Sequence, residues 1–235
     1  TMVMQQIGSC DDELKRAAMM EREKRLLGLV LLGGRFDYTA ADLALLNVPF
    51  VCCSFGNHYG TLEHADYSSV SIADIDNASR ATRYLIDNGH RRIAALITRP
   101  DDHSLSQLRY EGYQKALTDA GITPDDSLVI CTDTFNIQGA YQAMNRALDS
   151  GMDFTAVFAI SDNMAIGAMR ALREHGRTVP DDCSVIAIDG IEVSDYIDPP
   201  LTTLCQPMEK MGQRSMEILL DMIEGRAGNC HEVLP

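Results

Sequence analysis

The 235-residue sequence predicts an α/β fold built from parallel sheets. Short apolar runs rich in β-branched residues alternate with segments of helical period, and this alternation is typical of repeated β-α-β units. No segment repeats at a period of roughly 20–50 residues, which excludes a solenoid. With 46% apolar residues, the chain can bury the core of one large domain or of two small ones.

The clearest β-α-β unit spans residues 156–188. Residues 156–160 and 185–188 are apolar and are predicted as strands. Between them, Ala165, Met169 and Leu172 share one face of a predicted helix, and Gly176 lies just past its end. The two strands are therefore expected to be parallel, with a right-handed crossover.

The other predicted elements follow the same two patterns. The strands are short apolar runs at residues 2–7, 28–32, 48–54, 68–72, 92–98, 128–131 and 202–204. The helices show an apolar period of 3.6 and cover residues 11–25, 39–46, 77–88, 104–120, 137–150 and 208–225. Gly89, Gly121 and Gly151 directly follow three of these helices, as expected of residues that end a helix in a left-handed conformation.

Polar residues stand where the two strands of the clearest unit end. Ser161-Asp162-Asn163 follows the first strand and Asp189 follows the second. Ligands of open α/β sheets bind beyond the carboxyl ends of the strands, which makes Ser161, Asp162 and Asp189 binding candidates. Ser161, Asp162 or Asn163 would equally serve to cap the following helix, and Asp189 to cap a turn.

The formal charge of −14 excludes binding of nucleic acid by this chain on its own, since a phosphate backbone requires clustered Lys and Arg. The basic pairs present, such as Lys15-Arg16 and Arg91-Arg92, are expected on solvated helix faces and ends. No apolar run approaches the roughly 20 residues of a membrane helix, so no membrane partner is predicted.

Seven cysteines without any Cys-x-x-Cys pair predict buried thiols in a reducing, cytoplasmic compartment. Cys52, Cys53, His58 and His64 have no standard zinc spacing, and no metal or other cofactor is predicted. No nucleophile elbow, P-loop or zinc-hydrolase motif is present, so the sequence does not indicate an enzyme.

Several motifs together resemble the lactose-repressor (LacI/GalR) family of bacterial transcription regulators. They are Asp74-Ile-Asp-Asn77 with Gly89-His-Arg-Arg-Ile-Ala94, Arg109-Tyr-Glu-Gly-Tyr113, Ser161-Asp162 with Ala165-Ile-Gly167, Val179-Pro-Asp-Asp-Cys-Ser-Val185, and Pro200-Leu-Thr-Thr-Leu204 with Gln206-Pro207. They span most of the chain in the order of the family.

The resemblance implies two Rossmann-like lobes of the periplasmic-binding-protein type with a ligand cleft between them. Residues 1–99 and 207–235 would form an N-terminal lobe lacking its first strand and helix, and residues 100–206 a C-terminal lobe. Residues 99–102 would form the first crossing between the lobes. A small sugar-like effector would bind in the cleft of a cytoplasmic homodimer. DNA would be contacted only through an N-terminal helix-turn-helix that this sequence does not contain.

The resemblance also assigns effector-binding residues. Arg109, three residues before Gly112, matches the arginine of the family's cleft, and Asp189 matches its strand-end aspartate. An arginine fork and a carboxylate suit hydroxyl groups, so a neutral or weakly anionic polyol would fit. The alternative for Arg109 is an exposed helix arginine. Ala187-Ile188 before Asp189 departs from the common Gly-Tyr of the family, which alters the wall beside the ligand.

Three further positions complete the expected site. Phe135 falls where relatives carry an aromatic platform, Ser161 where they often carry Asn, and Asp76 where they carry a carboxylate of the first lobe. Phe135 would otherwise be core, and Asp76 an N-cap of the helix that begins at Asn77. The leading hypothesis is the effector-sensing part of a transcriptional repressor, and the alternative is a periplasmic solute-binding protein of a transporter.

Overall fold

The structure, a computed structural model, describes residues 2–7 and 12–235. The chain forms two units, the first from Thr1–Ile72 with Pro207–Pro235 and the second from Ala73–Gln206. Each unit is built on its own parallel sheet, as the alternation of apolar runs and helical segments predicts.

The first unit contains a four-stranded sheet in the order β1-β2-β3-β9. Its elements are α1 (Glu13–Lys24), β1 (Leu29–Leu32), α2 (Ala40–Leu43), β2 (Phe50–Cys53), β3 (Ser68–Ile72), α7 (Met208–Ile223) and β9 (His231–Leu234). Helix α7 places Met211, Ile218 and Leu219 against Val51 and Val70 of the sheet, and this contact forms a hydrophobic core. The apolar stripe predicted for residues 208–225 is therefore the buried face of α7.

The second unit contains a five-stranded sheet in the order β5-β4-β6-β7-β8, and every strand pair is parallel. Its elements are α3 (Asp74–Asp87), β4 (Ile93–Ile97), α4 (Leu105–Asp119), β5 (Val129–Cys131), α5 (Ile137–Asp149), β6 (Ala156–Ala159), α6 (Asp162–Glu174), β7 (Ser184–Asp189) and β8 (Thr202–Cys205). Strands β4 and β6 are buried at every residue. Helix α6 connects the neighbouring strands β6 and β7, which confirms the predicted β-α-β unit.

Two glycines allow the helices of the second unit to pack closely. A Cβ on Gly112 of α4 would lie 2.2 Å from the carbonyl oxygen of Ile75 in α3. A Cβ on Gly167 of α6 would lie 2.3 Å from the carbonyl oxygen of Ile137 in α5. Both distances are far below van der Waals contact, so only glycine allows these helix crossings.

One prediction about the beginning of the chain is wrong and another is confirmed. Residues 2–7 form no strand, because they pair with none of the strands in the described part of the chain and leave Met2, Val3 and Met4 exposed. The helix expected at residues 11–25 is present as α1, although its predicted first residue, Asp11, lies outside the described residues.

The first junction between the units also differs from the prediction. It lies between Ile72 and Ala73 and not at residues 99–102, so α3 and β4 belong to the second unit. The physical reason is strand pairing, since β4 lies between β5 and β6 in the second sheet. An apolar run shows that a strand is buried, but it does not show which sheet contains it. The second junction lies between Gln206 and Pro207.

Candidate functional site

A buried polar site lies at the carboxyl edge of the second unit's sheet. Asp189 is the last residue of β7, and Ser161-Asp162 follows β6, its neighbour in the sheet. Gln206 follows β8 on the other side of β7. Because parallel strands end at the same edge, these side chains are grouped by the topology itself. Arg109 reaches the same edge from α4.

Arg109 is at the centre of this site, and its side chain is fully buried, with 0% exposure. Its Nε donates to Asp74 Oδ1 at 3.0 Å, and its Nη1 donates to Asp189 Oδ1 at 3.2 Å. Nη1 also donates to the carbonyl oxygen of Ile160 at the end of β6. The third nitrogen, Nη2, is buried and has no hydrogen-bond partner within the described part of the chain. A buried guanidinium with an unsatisfied donor indicates a place where an ordered water or a ligand supplies the acceptor.

Arg109, Asp74 and Asp189 together form a buried ion-pair frame. Asp189 is its most exposed member, with a side chain that is 21% exposed. Its Oδ1 also accepts from Gln206 Nε2 at 2.6 Å. Burial raises the pKa of Asp189, and the charge and hydrogen bond of Arg109 oppose that increase. Its backbone has a φ of 149°, a conformation that residues with a Cβ rarely adopt. Strained backbone of this kind is concentrated at binding and catalytic sites.

Asp162 has a different role from the ligand contact that the sequence suggested. Its side chain is completely buried. Oδ2 accepts from the backbone N–H groups of Gly190 and Ile191 at 3.0 Å each and from Ser194 Oγ at 2.7 Å. Oδ1 accepts from Thr203 Oγ1 at 2.5 Å. With both oxygens used in this way, Asp162 stabilises the loop that follows Asp189. Capping does not explain it either, since the N-cap of α6 is Ser161, which accepts from Met164 N at 3.4 Å.

The remaining predicted site residues, Phe135 and Asp76, are not among the hydrogen-bond partners of Arg109 in the described part of the chain. Phe135 lies just before the N-cap of α5 and is 40% exposed, which rules out the alternative of a core residue. Asp76 is exposed in the first turn of α3 and belongs to the second unit, not the first. It does not cap the helix, whose N-cap is Ala73 without a side-chain hydrogen bond. Asp74, two residues earlier, is the carboxylate that contacts Arg109.

Sequence reasoning therefore missed Asp74 and Gln206 as members of the site. Both residues belong to motifs that the chain shares with the LacI/GalR family, Asp74-Ile-Asp-Asn77 and Gln206-Pro207. Helix α3 begins at Asp74, three residues before the predicted start at Asn77, so Asp74 and Asp76 both lie in its first turn, and Asp74 is the one that is buried.

The first unit holds a second group of buried polar atoms near the carboxyl end of its own sheet. Glu13 Oε1 and Asn57 Oδ1 are buried acceptors without a hydrogen-bond partner in the described part of the chain. Burial raises the pKa of Glu13 above its usual 4.5, and Arg35 opposes this increase. Tyr38 and Phe55 stack beside them with ring centroids 5.7 Å apart.

A cavity of 370 Å³ in the second unit does not contain the Arg109 site. It lies near the amino-terminal ends of β7 and β8, and its lining includes Tyr84, His90, Pro180 and Pro200. Among residues 2–7 and 12–235, no cluster of three His, Cys, Asp or Glu side chains is placed to hold a metal ion. None of the described helices has the length and apolar character needed to cross a membrane.

Known proteins similar to this chain are transcriptional regulators. A family model described as a periplasmic binding protein-like domain matches residues 82–235. The HTH-type transcriptional regulator MalR of Clostridium butyricum is 37% identical over 214 residues, which are 91% of this chain and 63% of that protein. The HTH-type transcriptional regulator CelR of Thermobifida fusca is 42% identical over 199 residues, 84% of this chain and 57% of CelR. The chain thus spans less than two thirds of the length of these relatives.

Solved structures give the same result. A complex of the transcriptional regulator CelR with cellobiose has a TM-score of 0.83 and 35% identity, and the match covers 94% of this chain and 67% of that one. A LacI family regulator from Enterococcus faecium with bound ribose has a TM-score of 0.79 and 30% identity, covering 96% and 82%. The chain therefore belongs to the LacI family of HTH-type transcriptional regulators, of which it forms the periplasmic binding protein-like domain.

Proposed function

We propose that this chain is the effector-sensing part of a LacI-type repressor and that a small sugar-like metabolite binds at the Arg109–Asp189 frame. The observation that carries the proposal is the buried guanidinium of Arg109, which Asp74 and Asp189 hold in place while Nη2 remains without a partner in the described chain. A donor held rigid and left unsatisfied suits an acceptor oxygen of a ligand, because little side-chain entropy is lost on binding.

A sugar matches the chemistry of this frame. Its ring and hydroxyl oxygens accept from Arg109, and its hydroxyl groups donate to the exposed part of Asp189. The half-exposed ring of Phe135 offers an apolar surface for the C–H face of a sugar ring. Ser161 and Asp76 stay as proposed contacts, and Asp162 is assigned to the support of the Asp189 loop. Cellobiose and ribose are bound in two structures similar to this chain.

We further propose that the whole protein is cytoplasmic and homodimeric and acts on DNA through a helix-turn-helix outside this sequence. Its relatives are HTH-type regulators, which favours this role over a transport protein or an enzyme. Ligand binding would shift the balance between two conformations of the protein by no more than the difference in its affinity for them.

Calorimetry and thermal shift with a panel of sugars, nucleosides and small acids test the proposal. A ligand at 100 times its dissociation constant is expected to add about 2.7 kcal/mol to the free energy of unfolding. Asp189→Asn is expected to weaken binding by about tenfold or more, since a carboxylate accepts charge-assisted hydrogen bonds that an amide does not. Asp181→Asn, an exposed residue before β7, is the matched control and keeps wild-type affinity. Equal affinity in both variants would remove Asp189 from the site.

A further inference from the structure

The positive charge of Arg109 is compensated twice inside the second unit. Asp74 pairs with Nε at 3.0 Å, and the two side chains are 5% and 0% exposed. Asp189 pairs with Nη1 at 3.2 Å. One guanidinium thus faces two carboxylates, so the frame has a net negative charge when both are ionised. The unsatisfied Nη2 donor belongs to a cation whose charge is already neutralised.

The other charged side chains at this edge of the sheet do not reverse that balance. Asp162 adds a further buried carboxylate beside Gly190. Asp102, after β4, accepts from the hydroxyl groups of Thr98 and Ser104. Arg99 also follows β4, but it is mostly exposed and is paired with Asp133 at 3.1 Å. Within the second unit, the side chains at this edge of the sheet therefore carry more negative than positive charge.

We infer that this site selects uncharged, hydroxylated ligands over phosphorylated or carboxylated ones, and that Asp74 sets this selectivity by neutralising Arg109 before the ligand arrives. The inference rests on the proposed effector site and specifies its ligand class. A neutral hydroxyl group accepts from Nη2 and donates to Asp189 without adding charge. A phosphate would lose its hydration shell on entering the site. It would contact an arginine whose positive charge is already neutralised, and it would lie beside carboxylates of the same sign.

Asp74→Asn separates the charge of this residue from its shape. The amide oxygen of Asn can still accept from Arg109 Nε, so the guanidinium keeps its position while one of its two counter-charges is removed. The variant is expected to gain affinity for anions by about tenfold or more, which is the size of one charge-assisted hydrogen bond. Its affinity for neutral sugars is expected to change less than its affinity for anions, because the binding of an uncharged ligand depends less on the charge that is removed. Asp87→Asn, an exposed residue at the other end of α3, makes the same change in net charge and is the control.

The test uses the full chain with matched pairs, ribose against ribose 5-phosphate and glucose against glucose 6-phosphate, and with inorganic phosphate at constant ionic strength. Binding is measured by calorimetry and by thermal shift. Wild type is expected to bind a neutral member at least about tenfold more tightly than its phosphorylated partner and to show no stabilisation by phosphate. Asp74→Asn alone is expected to gain stabilisation by phosphate.

The outcomes distinguish this inference from the function on which it rests. Equal or tighter wild-type binding of a phosphorylated sugar, or stabilisation of wild type by phosphate, would overturn the inference and leave the effector site intact. Asp74→Asn without a gain over Asp87→Asn would also overturn it. If neither sugar pair binds but Asp74→Asn gains a phosphate response, the charge argument stands and the sugar-effector proposal fails. If Asp74→Asn does not fold, the wild-type comparisons still decide.

Discussion

Replacing Arg109 by Met is the most direct test of the buried ion-pair frame. Met has a similar length and no charge, so the substitution leaves the carboxylates of Asp74 and Asp189 buried without their cation. Breaking a buried ion pair by removing one partner costs about 3–5 kcal/mol of the free energy of unfolding. The loss is expected near neutral pH.

The loss should depend on pH, and its sign follows from the pKa of Asp189. Burial already raises this pKa above 3.8, and Arg109 holds it down, so removal of Arg109 raises it further. A carboxyl group whose pKa is higher in the folded protein than in the unfolded chain destabilises the fold as the pH rises through the folded pKa. The deficit of Arg109→Met relative to wild type is therefore complete at neutral pH and shrinks as the pH falls toward 3.8.

Urea unfolding at a series of pH values measures this deficit. Arg170→Met is the matched control, because Arg170 forms a solvent-exposed pair with Glu174 on α6, and exposed pairs contribute little to stability. A deficit of less than about 1 kcal/mol for Arg109→Met at neutral pH would refute the argument, because the expected cost is several times larger. A deficit that does not change with pH would refute the assignment of the cost to the carboxylates.

Three further substitutions test other parts of the structure. Gly112→Ala is expected to cost about 1–3 kcal/mol of stability in thermal unfolding, since the new Cβ would lie 2.2 Å from Ile75 O. Gly212→Ala, whose Cβ meets no atom within 4 Å, is its control and should not destabilise. Asp162→Ala removes the acceptor of four hydrogen bonds and should lower the free energy of unfolding, measured with urea, by at least about 2 kcal/mol. An unchanged free energy of unfolding would contradict the supporting role of Asp162. Glu13→Gln should be more stable than wild type at neutral pH and lose that advantage as the pH falls to about 4.5, because burial raises the pKa of Glu13; identical pH profiles would contradict this.

The elements of the fold were accessible from the sequence because their signals are local. The helical spacing of apolar residues predicts helix α6, and short apolar runs that end in polar residues predict strands β6 and β7. Strand pairing is not local. Residues 92–98 carry the correct strand pattern, but only the hydrogen bonds of β4 to β5 and β6 place them in the second sheet.

The candidate site was predictable to the extent that topology groups its residues. Asp189 and Arg109 were identified correctly as neighbours, since a strand end and a family motif both indicate them. Asp162 was not understood, because its four partners come from the loop after β7 and from β8, and no sequence pattern links these to α6. Asp76 was proposed from the family resemblance, whereas Asp74 of the same motif is the carboxylate that pairs with Arg109.

The backbone of Asp189 provides a final test of how the site is held. At a φ of 149° a residue with a Cβ is strained, and such strain costs about 1–3 kcal/mol. Asp189→Ala keeps the Cβ and loses the carboxylate, whereas Asp189→Gly loses both. Glycine normally destabilises a strand relative to alanine, but here the relief of strain should make Asp189→Gly the more stable variant by about 1 kcal/mol. Thermal unfolding of the two variants decides the point. If the Ala variant is the more stable, the backbone of Asp189 is not strained. The hydrogen bonds of Arg109, Gln206 and Asp162 would then stabilise an unstrained conformation and would not have to compensate for strain energy.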